Sequence, residues 1–323
     1  MAVYTSLDAA SVDAALRPLG VGALLALTPI AGGIENTNYF VDTEGGRWVL
    51  TVFERLGTAE LPYYLALMRH LAAQGLPVPA PCAAPDGALM LPGWQGKPAA
   101  LVNRLPGASL DAPDLHHVAQ LGHTLARMHR AVDGFTHRQP NLRGRPWREA
   151  TAGQVRPWLD GDDAALLDAE IQHQAQLLDS AAAAGLPRGA VHADLFRDNA
   201  LFDGLPGRER LSGVFDFYFA GDDHFTFDLA VVLNDWCIDL DSGRLDEARA
   251  QALVQAYRQE RPLSGAELRL LPGLRRTAAL RFWLSRLADW HLPRPASLLT
   301  PKPPDHFARV LRDCVRQPWH PEG

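Results

Sequence analysis

The chain has 323 residues and a net charge of −6 at pH 7; 47% of its residues are hydrophobic and 21% are charged. This composition supplies apolar side chains for a sizeable core and excludes an intrinsically disordered chain. The acidic balance, without a basic stripe, argues against nucleic acid as a partner.

The cysteines and the hydropathy of the chain help to predict its cellular compartment. Three cysteines, Cys82, Cys237 and Cys314, are too far apart to indicate a disulfide framework or a zinc site. The first residues carry neither a basic segment nor an apolar one, and no apolar run approaches the length of a membrane span. We therefore expect a cytoplasmic protein without a membrane partner.

The first hundred residues predict strands and one helix. Residues 38–42 and 47–53 are β-rich runs, and the intervening 43–46 segment, Thr-Glu-Gly-Gly, is a hairpin signal. A helix is predicted from about Ala59, because apolar residues recur at helical spacing up to Gly75. Residues 98–102 predict a buried strand, which ends at a hinge over 103–107.

The rest of the chain is mainly helical in prediction. Apolar periodicity places helices at the following positions: 112–133, 160–184, 225–240, 244–260, 265–291 and 303–316. The predicted fold is therefore α+β and bilobal. A β-rich lobe over 1–103 is expected to bind a nucleotide, and a helical lobe over 104–323 is expected to carry catalysis and the substrate.

One segment, His192–Asn199, predicts the chemistry. It stands before a short strand at 200–202, and a second strand at 211–215 ends on Asp216. In phosphoryl transfer, an Asp five residues before an Asn acts as base while the Asn and a later Asp hold magnesium. Asp194 is the candidate base, and Asn199 and Asp216 offer the hard oxygen atoms that Mg²⁺ prefers. The alternative is an ordinary polar surface turn.

Residues in and around this segment have candidate supporting roles. His192 is expected to shape the loop through backbone hydrogen bonds. Arg197 and Asp198 contact either phosphates or each other. Asp228 is either an acid favoured at a helix N-terminus or a carboxylate that holds backbone amides of the loop.

The segment over 32–38 is a candidate phosphate-binding loop. Gly32 and Gly33 allow the backbone to approach phosphates closely, and Asn36, Thr37 and Asn38 add polar side chains. An ordinary hairpin is the alternative.

Two further side chains are candidates for substrate contacts. Arg281 could bind a carboxylate with both arms of its guanidinium, or it could form a structural ion pair. Asp235 could offer its carboxylate to an ammonium group.

The combined pattern resembles the aminoglycoside-phosphotransferase-like kinases, which are similar in fold to protein kinases. The resemblance rests on three motifs: the HxDxxxxN loop, the strand ending on Asp216, and Phe-Asp-Leu-Ala at 227–230. Longer strings resemble the bacterial homoserine kinases of that superfamily: 33–38, 49–51, 96–99, 192–199, 215–218, 234–237 and 281–287.

The resemblance implies transfer of the ATP γ-phosphoryl group, with Mg²⁺, to the hydroxyl of L-homoserine. The product would be O-phospho-L-homoserine, an intermediate of threonine biosynthesis. Adenine would lie near Asn103 and Leu105, and Tyr218 would join Asp235 and Arg281 as a substrate contact. An aminoglycoside or choline kinase is the alternative within the class.

One position departs from the superfamily pattern. Members usually carry a Lys on the third strand that contacts the nucleotide phosphates, and here Thr51 takes that place. The candidates for the replacement cation are Lys97, Arg55 and Arg197. A non-catalytic nucleotide-binding module is the rival that this change suggests, but retention of all three catalytic-loop and metal residues argues against it.

Overall fold

The computed structural model describes residues 5–30, 36–292 and 302–322. The chain divides into two compact units. The first comprises Met1–Gly107 with Ser212–Phe215, and the second comprises Ala108–Leu211 with Asp216–Gly323.

The first unit is built on a five-stranded antiparallel sheet with two helices. Its elements, in chain order, are α1 (Ala9–Leu16), β1 (Leu24–Pro29), β2 (Thr37–Thr43), β3 (Gly46–Val52), α2 (Leu61–Ala73), β4 (Leu91–Trp94) and β5 (Lys97–Asn103). The strand order is β1-β2-β3-β5-β4. The predicted hairpin, helix and buried strand are confirmed as β2–β3, α2 and β5.

The two faces of this sheet differ because side chains alternate along each strand. Tyr39, Leu50 and Leu101 are buried on one face, where they pack with Val12 and Leu16 of α1. Their neighbours in the chain point to the opposite face. This second face includes Thr51, which is in register with Asn38 of β2 and Ala100 of β5.

The second unit is mainly helical. Its elements are α3 (Leu115–Ala131), α4 (Arg145–Val155), α5 (Gly161–Leu178), α6 (Ala181–Ala184), β6 (Arg188–Val191), β7 (Ala200–Asp203), β8 (Arg210–Val214), β9 (Gly221–His224), α7 (Phe225–Trp236), α8 (Glu247–Glu260), α9 (Gly265–His291) and α10 (Asp305–Arg316). Strand β8 begins in this unit and its last residues belong to the first. Strands β6 and β9 pair antiparallel.

Helix α7 is at the centre of the second unit. All its residues from Phe225 to Trp236 are buried, including the polar side chains of Asp228, Asn234 and Asp235. Helix α9 packs along it and begins with a capping box between Ser264 and Glu267. Within the described ranges, none of the helices combines the length and apolar character needed to cross a membrane.

Candidate active site

The loop between β6 and β7, residues 192–199, is held by a buried carboxylate. Asp228, in the first turn of α7, accepts hydrogen bonds from the backbone N–H of His192 at 2.9 Å and of Ala193 at 2.7 Å. Ala193 has a φ of 62°, a left-handed conformation that costs a non-glycine residue roughly 1–3 kcal/mol. The two hydrogen bonds to a charged acceptor offset that cost and fix the direction in which the loop leaves β6.

A chain of hydrogen bonds through residues of α3 and α8 holds the Asp228 side chain in place. His129 of α3 lies between Asp228, 3.0 Å from its Nε2, and the Tyr257 hydroxyl, 2.7 Å from its Nδ1. Arg261 donates to the same hydroxyl at 3.2 Å. Burial lowers the pKa of His129, so the ring is neutral at pH 7. We assign its proton to Nε2, which donates to Asp228, while Nδ1 accepts from Tyr257.

Asp228 itself is charged. Burial alone would raise the pKa of its carboxyl, but the hydrogen bond from His129 and the backbone contact of His192 outweigh burial, and the pKa lies below its usual range. No local pattern predicts this support, because His129 and Tyr257 are 99 and 29 residues from Asp228 along the chain. The loop is therefore fixed by residues of α3, α7 and α8.

Asp194, the predicted base, is held by two side chains. The Asn199 side-chain amide donates to the Asp194 main-chain oxygen at 2.8 Å and lies 3.4 Å from Oδ2. Nη1 of Arg281, on α9, lies 3.5 Å from Asp194 Oδ1. The buried Arg281 guanidinium stacks on the Phe282 ring, 3.8 Å from its centroid. Arg281 thus forms an ion pair, and its partner is the predicted base.

The predicted metal ligands provide an amide and a carboxylate oxygen. The Nδ2 atom of Asn199 is used by Asp194, which leaves Oδ1 for a cation. Asp216 lies two residues after the end of β8 and has a φ of 64°. The ring of the next residue, Phe217, packs 4.6 Å from the His192 ring, so the Asp216 segment adjoins the start of the loop.

This donor set fits a cation that arrives with phosphates. In the described part of the chain, no three His, Cys, Asp or Glu side chains cluster as a closed metal site would require. Mg²⁺ characteristically takes one or two protein oxygen ligands and completes its shell with phosphates and water.

Arg197 and Asp198 contact other residues instead of each other. Asp235 Oδ2 accepts from the Arg197 backbone N–H at 2.8 Å and from its Nε at 3.3 Å, and Arg197 Nη2 donates to the Asp235 main-chain oxygen. Asp198 lies 3.7 Å from Lys302 Nζ. Burial raises the pKa of Asp235, and the charge of Arg197 opposes that rise.

The predicted phosphate-binding residues lie at one end of the first unit's sheet, and Gly32 and Gly33 fall outside the described residues. The Thr51 hydroxyl donates to Asn38 Oδ1 at 2.8 Å. Asn38 Nδ2 donates to the main-chain oxygen of Asn36 at 3.5 Å.

Thr37 and Lys97 belong to a second polar cluster, on the α1 face of the sheet. The buried Thr37 hydroxyl donates to Glu54 Oε1 at 2.6 Å. Lys97 forms an ion pair with Glu54 and donates to the Thr5 hydroxyl at 2.9 Å. Lys97 is two residues before the buried Ala99, so strand alternation puts it on the face opposite Thr51. Lys97 is therefore a poor replacement for the missing strand lysine.

The remaining predicted positions are spread over both units. Asn103 Oδ1 accepts from the Ala80 backbone N–H at 2.6 Å and fixes the extended segment before β4. Leu105 is half-buried just beyond β5, and Tyr218 is half-buried two residues after Asp216. Arg55 is exposed just past β3.

Known proteins are similar to this chain along almost its whole length. Residues 26–263 match the model of the family described as phosphotransferase enzyme family. The homoserine kinase of Cupriavidus pinatubonensis is 52% identical over 97% of this chain and 96% of its own length. That of Polaromonas naphthalenivorans is 50% identical over 99% of both. Among solved structures, a microcompartment-associated aminopropanol kinase superposes with a TM-score of 0.67 at 21% identity, over 96% of this chain and 97% of its own. That likeness confirms the predicted fold class.

Proposed function

Because the chain belongs to the phosphotransferase enzyme family, we propose that it is an ATP-dependent homoserine kinase. It transfers the γ-phosphoryl group of ATP to the side-chain hydroxyl of L-homoserine and releases O-phospho-L-homoserine, a step of threonine biosynthesis. The observation that carries the proposal is the catalytic loop: Asp194 is held by Asn199 and Arg281, in a chain about half identical to homoserine kinases over nearly its full length.

Asp194 acts as the base. Its carboxylate accepts the proton of the attacking hydroxyl, a role that typically contributes roughly 10²–10⁴-fold to the rate. Asn199 and Arg281 restrict the side chain to one position, and Asp228 fixes the backbone beneath it. The arrangement suits proton transfer because position, more than covalent chemistry, decides the rate of phosphoryl transfer.

Enzymes of this kind act on ATP together with a divalent cation, and we propose Mg²⁺. When bound, the cation neutralises the charge that develops on the transferred phosphoryl group. Asn199 Oδ1 and Asp216 would hold it. In the first unit, Thr51 and the loop over 32–38, apart from the Thr37 side chain, would contact the phosphates, with adenine near Asn103 and Leu105. We expect the protein to work in the cytoplasm.

An acceptor screen tests this function. The purified protein would be given ATP, Mg²⁺ and one of four acceptors, namely L-homoserine, L-serine, choline or kanamycin, and ADP release would be measured. We expect kcat/KM to be much the highest for L-homoserine, with O-phospho-L-homoserine identified by phosphorus NMR. Asp194→Asn should lower kcat by roughly 10²–10⁴-fold while ATP binding persists. Equal or better turnover of choline or kanamycin would refute the homoserine assignment.

A further inference from the structure

Three arginines lie in or beside the catalytic loop, and among the described residues one of them has no acidic partner. Arg281 is paired with Asp194, and Arg197 is paired with Asp235. Arg286, five residues after Arg281 on α9, is half-buried, and its guanidinium lies 5.7 Å from the centroid of the Phe307 ring. Throughout the described residues it forms no hydrogen bond and no ion pair. A cation in such a position fits an anionic ligand.

Aromatic packing places Arg286 beside the catalytic loop. Phe307 of α10 stacks on Phe282 of α9 at 5.1 Å and lies 5.8 Å from Phe196. Phe196 is two residues after Asp194, and it packs on Phe282 at 4.4 Å. The ring under Arg286 therefore belongs to the same cluster that supports the loop of the base.

The charged groups near Arg286 suit a ligand that carries both a positive and a negative charge. Burial lowers the pKa of Arg286, and the carboxylates of Asp194, Asp289, Asp198 and, most weakly, Asp235 oppose that shift. Arg286 lies beside the loop through Phe307 and Phe196, and Asp235 lies beside it through Arg197, but the two side chains do not form an ion pair with each other. Asp235 uses Oδ2 for Arg197, and its Oδ1 accepts no hydrogen bond from the described residues. One cationic and one anionic group are therefore both available near Asp194.

We propose that Arg286 binds the α-carboxylate of the amino-acid acceptor and that Asp235 binds its α-ammonium group. This inference rests on the proposed function and identifies how that site selects its substrate. The guanidinium fork matches a carboxylate with two parallel hydrogen bonds, which a point charge does not. Arg281 then acts as a positioning residue for Asp194, because its guanidinium already lies against that carboxylate. The acceptor would be anchored at both charged ends, with its hydroxyl directed to Asp194.

Substrate analogues separate the two anchors. L-homoserine would be compared with 3-aminopropan-1-ol, which lacks the carboxylate, and 4-hydroxybutanoate, which lacks the ammonium group. Steady-state constants would be measured for the parent, Arg286→Gln, Asp235→Asn and Arg269→Gln. Arg269 is exposed near the start of the same helix, so its variant controls for loss of one positive charge from α9.

We expect Arg286→Gln to raise KM for L-homoserine roughly 10- to 100-fold, the effect of losing charged hydrogen bonds. Its KM for ATP and its kcat should change by less than about threefold, and its use of 3-aminopropan-1-ol should match the parent, because that molecule has no carboxylate to lose. Asp235→Asn should reduce the preference for L-homoserine over 4-hydroxybutanoate. By contrast, Arg281→Lys should lower kcat with both L-homoserine and 3-aminopropan-1-ol.

A parent-like KM for L-homoserine in Arg286→Gln overturns the proposal, and so does an equal loss with 3-aminopropan-1-ol. If Arg286→Gln does not fold, Arg286→Lys keeps the charge without the fork and should still lower the preference for L-homoserine over 3-aminopropan-1-ol; an unchanged preference overturns the proposal. Failure of the parent to phosphorylate L-homoserine would refute the proposed function itself, a result that the parent alone reveals.

Discussion

Replacing Asp228 by Asn tests the support of the catalytic loop. The substitution keeps the shape of the side chain and removes its charge. Asp228 Oδ1 accepts from Ala193, and Oδ2 accepts from both His192 and His129. In the variant, an NH₂ group replaces one of the two oxygens, so it faces either the single donor at Oδ1 or the two donors at Oδ2.

The magnitude follows from these contacts. Hydrogen bonds to a charged acceptor contribute about 1.5–3 kcal/mol each, so loss of one or two costs about 1.5–6 kcal/mol. The left-handed conformation of Ala193, which costs roughly 1–3 kcal/mol, loses part of its compensation at the same time. Domains are typically stable by about 5–15 kcal/mol, so the variant should be severely destabilised. Its kcat should also fall, because Asp194 follows Ala193 directly.

Urea denaturation and steady-state kinetics would measure both effects. Asp133→Asn is a matched control, because Asp133 is an exposed acid that follows α3 in the same unit. We expect the control to match the parent in its free energy of unfolding and in kcat. If Asp228→Asn also stays within about 1 kcal/mol of the parent and retains its kcat, the hydrogen bonds to Asp228 do not hold the loop.

Three further predictions concern the metal, the nucleotide and pH. Asp216→Ala should abolish activity and Asn199→Ala should raise the Mg²⁺ concentration required; unchanged Mg²⁺ dependence in both variants would contradict the metal assignment. Thr51→Val should weaken ATP binding by about 0.5–1.5 kcal/mol, while Thr51→Lys should tighten or preserve ATP binding without raising kcat; calorimetric affinities equal to the parent in both would show that Thr51 does not face the nucleotide. The pKa of His129 in the folded state is depressed below its ordinary value of 6.5, so His129 of the unfolded chain takes up a proton first as the pH falls. The contribution of neutral His129 to stability is therefore present above pH 6.5 and is lost as the pH falls below 6.5. Unfolding measured between pH 7.5 and 5.5 should show a smaller loss of stability in His129→Gln than in the parent, and equal losses would contradict this.

The sequence was informative where a pattern is local. Strands β2, β3 and β5 and helices α2, α8 and α9 follow from periodicity within a single segment. Even Pro272, inside α9, did not interrupt the predicted helix, because apolar spacing continues on both sides. Short strands were missed. Residues 221–224 read Gly-Asp-Asp-His, and they form a strand only because β6 pairs with them.

The candidate site also combines features that are local in the sequence with contacts that are not. The order of Asp194, Asn199 and Asp216 along the chain is a local signal, and it predicted their proposed roles before any contact was known. The partners of charged side chains are not local. Arg197 was expected near phosphates or Asp198, yet it binds Asp235, 38 residues away. Sequence reasoning therefore names candidate charges, but only folding decides which of them become ion pairs and which remain for ligands.

The alternation of side chains along the strands decides which charged residues share a face of the sheet with Thr51. Lys97 has the charge that the missing strand lysine would supply, and sequence alone made it a reasonable replacement. Strand alternation puts it with Glu54 on the α1 face, away from the face that Thr51 shares with Asn38. Thr51→Lys would therefore introduce a cation on a face that Lys97 does not reach. If that variant binds ATP more tightly than the parent, the Thr51 face contacts the phosphates, and the parent binds its nucleotide without a lysine at this position.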